Sequence, residues 1–167
     1  MLTYHRLPVH MSLVSTDLPV WSVVETAATL YEKENERYHL LLNEPATCPE
    51  ATDPDSSEAK RSPLFEIPRL LWLELSPYRV IMTMQSHSRF SYRHFWEQGI
   101  YGTSRYWLQD NHLGKSGHIH LQNFTRSLVF QSAPLPTYLR VEYELWSNKV
   151  ALGRYILNLD IRHHSHQ

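Results

Sequence analysis

From Thr137 to Ile161 the chain alternates apolar and polar residues in two arms with a break between them. Leu139, Val141, Tyr143 and Leu145 alternate with Arg140, Glu142, Glu144 and Trp146. After Ser147-Asn148-Lys149, Tyr155, Leu157, Leu159 and Ile161 alternate with Arg154, Ile156, Asn158 and Asp160. Successive side chains on a strand point to opposite faces, so each arm has one apolar and one mostly polar face. The pattern predicts an antiparallel hairpin in a sheet that is covered on one side and wet on the other. Gly153 interrupts the last strand and is expected to mark a bulge.

Upstream, further apolar runs read as hairpins. Residues 69–75 and 78–85 flank Ser76-Pro77, with Val80, Met82 and Met84 on one face. Tyr101 to Leu108 reads as a strand, Asn111 to Gly117 as a turn region, and His118 to Gln131 as one long or bent strand. A short helix is expected from Ser88 or Ser91 to Gln98, ended by Gly99.

The N-terminal part predicts a longer helix. Asp17 can cap the free amides, and Pro19 stands where its missing N–H costs nothing. Trp21, Val24, Ala28, Tyr31 and Tyr38 recur at three-to-four spacing, so the helix is drawn to about Arg37. The expected fold class is therefore α+β, with one N-terminal helix packed on a curved antiparallel β-sheet built from hairpins.

A chain of 167 residues is read as a single domain, 1–167. Residues 1–12 are taken as a loose extension or short edge strand, with Met11 an alternative start. Residues 43–66 hold Pro45, Pro49, Pro54 and Pro63 among acidic and hydroxyl residues, and are expected to form a mobile acidic, Pro-rich loop. No apolar run approaches the roughly 20 residues of a membrane-spanning helix, so no membrane span is expected. Cys48 is the only cysteine, which excludes an internal disulfide and fits a reducing, cytoplasmic setting. A net charge of −1 makes nucleic acid an unlikely partner, because phosphate contacts carry most of such affinity.

No motif names a chemistry. Gly114-Lys115-Ser116 lacks the upstream glycine of a phosphate loop and leads into a strand rather than a helix. Among eleven histidines, His118 and His120 share a strand face but lack a third ligand, and His163-His164-Ser165-His166 is read as adventitious. No metal and no cofactor are therefore expected. Cys48 has no cationic neighbour to lower its pKa.

The segment from His87 to Trp107 concentrates Phe90, Tyr92, Phe95, Trp96, Tyr101, Tyr106 and Trp107 with interleaved arginines. Rings offer large rigid faces, and guanidinium groups stack on rings and grip carboxylates or phosphates. Arg89, Arg93, Trp96, Arg105 and Trp107 are the candidate binding residues. The expected function is a non-catalytic binding or assembly module, holding a partner protein or an amphipathic anionic ligand. Two alternatives stand beside it. One is a small cofactor-independent enzyme using Glu142 or Glu144 with a histidine; the other is single-stranded RNA binding. A homodimer through an open sheet edge beside the last hairpin is also possible on this reading.

Overall fold

The computed structural model of the chain describes residues 3–44, 69–86, 90–110 and 115–164. No described residue is helical. Ten strands follow one another in chain order: β1 (Tyr4–Ser15), β2 (Trp21–Lys33), β3 (Arg37–Glu44), β4 (Arg69–Leu75), β5 (Arg79–Gln85), β6 (Phe90–Glu97), β7 (Tyr101–Asp110), β8 (Lys115–Ser132), β9 (Pro136–Ser147) and β10 (Val150–Ile161). Each pairs antiparallel with its predecessor, and β10 closes on β1, giving an up-and-down barrel without a free edge strand. The fold is all-β, which corrects the expected α+β class.

The predicted N-terminal helix is strand β2. Val24, Ala28 and Leu30 are buried, while Val23, Glu25 and Ala27 face out, a period of two rather than 3.6. β2 is held on both sides, by β1 in the register Met11↔Val24 and by β3 in the register Leu30↔Leu40. Those two ladders, and the β-branched Val23, Val24, Thr26 and Thr29, outweigh the helix-like spacing of Trp21, Val24, Ala28 and Tyr31. Asp17 caps no helix. Its carboxylate accepts the Arg154 N–H at 2.9 Å and the Ser15 hydroxyl at 2.9 Å, tying the β1–β2 turn to β10. The Arg154 amide is the main cause of its lowered pKa. The second expected helix is likewise a strand, β6. Of residues 1–12, read as an extension or edge, 4–12 pair with β2 and 9–12 also with β10.

The final hairpin forms with the predicted faces. Leu139, Val141, Tyr143, Leu157, Leu159 and Ile161 point inward and are buried. Its register shifts between Ala151 and Gly153, and Gly153 adopts φ +131°, the bulge its glycine signalled. β10 has β9 on one side and β1 on the other, so strand addition beside this hairpin finds no open edge. Most of residues 43–66 lies outside the described residues.

Inside the barrel, Leu30, Leu40, Leu73, Val80, Met84, Val141 and Leu159 are fully buried. Each large apolar side chain taken from water contributes about 1.5–3 kcal/mol, so the inward face of the sheet is the hydrophobic core. The turns at 16–20 and 148–149 mark one end of the barrel, here the rim. Those at 34–36, 76–78, 98–100 and 133–135 mark the other, the base.

Candidate functional site

Because β6 and β7 are strands, the ring-rich segment is divided between two faces. Phe90, Tyr92, His94 and Trp96 alternate inward along β6, while Ser91, Arg93, Phe95 and Glu97 alternate outward. On β7, Ser104 and Tyr106 lie inside and Arg105 and Trp107 outside.

The inner side chains form a continuous run of rings. His94 lies parallel to Trp96 at 5.0 Å and 6°, and Trp96 meets Tyr143 at 4.9 Å. Tyr106 meets His94 edge-on at 5.5 Å and 85°, and stacks on Phe90 at 6.0 Å. Trp96 and Tyr143 are buried, whereas Phe90, Tyr92, Tyr106 and Tyr155 keep part of their surface accessible. The run therefore leads from partly open rings nearer the rim to a closed floor. Aromatic pairs of this kind are worth about 0.5–1.5 kcal/mol beyond the area they bury.

A polar network crosses the floor. The Asn123 amide donates to Ser104 Oγ at 2.8 Å, Ser104 Oγ meets His94 Nδ1 at 2.7 Å, and Tyr106 Oη lies 3.4 Å from His94 Nε2. One proton ordering satisfies the chain, with Ser104 donating to Nδ1 and Nε2–H directed at the phenol oxygen. Gly102 makes room for it. A Cβ there would collide with the Phe95 carbonyl oxygen and sit 2.9 Å from Asn123 Oδ1.

Burial sets the charge state of the floor. It pushes His94 down to about 3, so the imidazole is neutral at physiological pH. It pushes Tyr106 up to about 12, with the nearby Tyr155 as a second cause, and holds Tyr143 well above the usual phenol range. The floor thus offers hydrogen bonds without formal charge. Three of its buried polar atoms have no hydrogen-bond partner, namely Trp96 Nε1, Asn123 Oδ1 and Thr125 Oγ1. An unmatched buried polar group costs about 1–3 kcal/mol, so these three atoms oppose the stability that the packed rings supply. Ser104 is fully buried with its oxygen engaged by two neighbours, which is the placement of a structural hydroxyl rather than an accessible nucleophile.

The outward side chains form a different surface. Arg93 stands directly across from Arg105, and Arg105 across from His120. Neither arginine makes an ion pair with another described residue. Desolvation, His118 and Arg105 together lower the pKa of His120. Trp107 stacks on His118 at 5.6 Å and 20°. His118 and His120 contact each other at 3.2 Å, and the described residues hold no group of three or more metal-binding side chains.

Of the five candidate residues, Arg93, Arg105 and Trp107 therefore share the outer wall, Trp96 lies inside, and Arg89 falls outside the described residues. Glu142 and Glu144 are on the outer wall too. Glu142 pairs with Arg140 at 3.8 Å, and Glu144 lies between Arg126 and Arg154. Both face away from His94. Sequence reasoning overlooked His94, Ser104 and Asn123. A period-two reading of residues 90–97 would have put His94 between Tyr92 and Trp96, but no local signal brings Asn123 to it from β8.

No protein-family model matches the chain, and no curated protein matches it in sequence. Among solved structures it is similar to the crystal structure of the ywiB protein from Bacillus subtilis. The likeness covers 97% of this chain and 96% of that one, with a TM-score of 0.59 and 13% sequence identity. At that identity the likeness shows the fold alone.

Proposed function

We propose that the protein is a non-catalytic binding module whose barrel takes a small amphipathic, ring-bearing molecule between the partly open rings and the polar floor. The observation that carries this reading is the buried network of Asn123, Ser104 and His94, with unpartnered polar atoms beside it. Next to the rings, Met82 and Met84 of β5 stand in register with His94 and Tyr92, and Leu40, Leu42, Leu71 and Leu73 of β3 and β4 continue the apolar interior. Barrel mouths are common ligand sites, and a few convergent polar groups among apolar walls are their usual chemistry.

Titration with anilinonaphthalene sulfonate, an anionic amphipathic fluorophore, tests the reading. Saturable binding to the folded protein is expected, weakened by about two- to ten-fold in Tyr92→Ala and Tyr106→Ala, as loss of a packed ring contact predicts. Absence of saturable binding, or equal affinity in both variants, would contradict it.

One observation favours a second reading, in which the outer wall of β6–β8 docks an acidic surface of a partner protein. Like charges placed directly opposite on paired strands are destabilising, yet Arg93 and Arg105 form such a pair, with His120 next across the ladder. Arginine beside tryptophan is the composition of interface hot spots. Here Arg93→Ala combined with Arg105→Ala should abolish capture of the partner and leave fluorophore binding intact. Unchanged capture would remove this reading.

A further inference from the structure

Two cavities differ in a telling way. One, of about 490 Å³, lies beside the β2–β3 and β4–β5 turns and balances its charges, with Glu32, Glu34 and Glu74 against Lys33, Arg37 and Arg79. The other, of about 590 Å³, lies at the base between the start of β1, the β8–β9 turn and the residues after β10. Its basic side chains are His5 and Arg6 from β1 and His163 and His164 beyond β10, and among the described residues no carboxylate lines it. We propose that this base cavity is an anion site for a phosphate monoester carried on a small apolar group.

The chemistry of the lining supports that ligand. Arg6 supplies a permanent planar cation suited to oxyanions. The Tyr4 hydroxyl adds a donor, and Leu7 and Leu135 supply apolar wall for the rest of the molecule. His163 is already anchored, its Nε2 meeting the Pro136 carbonyl oxygen at 2.6 Å. The volume falls within the roughly 300–1,000 Å³ of small-molecule sites. Among the described residues, no other charged side chain lines the cavity.

Titrating the full chain with phenyl phosphate, inorganic phosphate and benzoate, followed by phosphorus NMR and calorimetry, tests this inference. Phenyl phosphate should bind more tightly than inorganic phosphate, with benzoate weakest. Arg6 and His164 are exposed, so Arg6→Ala and His164→Ala keep the fold, and each should weaken phenyl phosphate several-fold, whereas Arg69→Ala at the start of β4 should not. Binding that ignores both base substitutions overturns the assignment. So does benzoate binding as tightly as phenyl phosphate. A null result with all three anions does the same, and leaves the barrel-interior reading, which uses different residues, untouched.

Discussion

His94 and Ser104 face each other in direct register across β6 and β7, and their side chains meet at 2.7 Å inside a closed barrel. The pairing places a neutral imidazole in an interior otherwise dominated by leucine, valine and methionine. It follows from alternation alone. Once Phe90 packs inward, Tyr92, His94 and Trp96 must follow it, and Ser104 is the residue that β7 presents opposite the ring.

This placement makes stability depend on pH in a defined direction. Burial lowers the His94 pKa to about 3, while in the unfolded chain a histidine titrates near about 6.5. Between these values the unfolded state holds more protons, so the contribution is complete above about pH 6.5 and is lost as pH falls toward 3. Each pH unit in that window is worth about 1.4 kcal/mol for one proton. Urea midpoints of the wild type should therefore fall more steeply from about pH 6.5 to about pH 5 than those of His94→Gln, with the curves parallel above about pH 7. Equal slopes would show that His94 takes up protons in the folded state.

Trp96 is fully buried against His94 and Tyr143. Trp96→Ala should cost about 3–5 kcal/mol by chemical denaturation, the range for deleting a packed large ring. Trp96→Phe keeps a ring and removes an unpartnered N–H, so it should cost about 1–2 kcal/mol. A loss under about 1 kcal/mol for the alanine variant would mean that the ring run is not packed.

Gly102 is required by close approach rather than by backbone conformation. A methyl group there would press on the Phe95 carbonyl and on Asn123 Oδ1. Gly102→Ala should destabilise by about 1–3 kcal/mol, as overpacking does, and should displace the Asn123 amide resonance. Unchanged stability would place β6 and β7 farther apart at this point.

Glu36 sits in the β2–β3 turn at φ 54°, a conformation that costs a residue with a Cβ about 1–2 kcal/mol. Glu36→Gly should raise stability by about 0.5–1 kcal/mol after its own entropy cost, read as a higher urea midpoint. A fall would indicate that the Glu36 side chain holds the turn.

The parts of the fold that were legible are those whose inward face is purely apolar. Leu139, Val141, Leu157 and Leu159 alternate with charged or amide residues, and no other element reads that pattern as well. Over Trp21 to Lys33 the alternation is blurred, because Val23, Ala27 and Tyr31 occupy outward positions, and Trp21, Val24, Ala28 and Tyr31 also satisfy helical spacing. Barrel closure is a long-range fact, expressed in pairs such as Met11↔Leu159, and leaves no local mark. The candidate site was half visible. Its rings stood out by density at residues 90–107, but dividing Trp96 from Arg93 and Arg105 needed the strand assignment first. Asn123 and Tyr143 join the site only through the β8 and β9 ladders.

The most direct test of interior binding is to follow the five tryptophan indole N–H resonances during titration with anilinonaphthalene sulfonate. Trp96 is the indole on the inner floor. Its resonance should shift saturably together with the backbone amides of Ser104 and Asn123, while Trp21 and Trp72 on the outer wall stay in place. Saturable shifts confined to Trp107, Trp146 or the other outward rings, with Trp96 unmoved, would place the ligand on the outside and contradict the account.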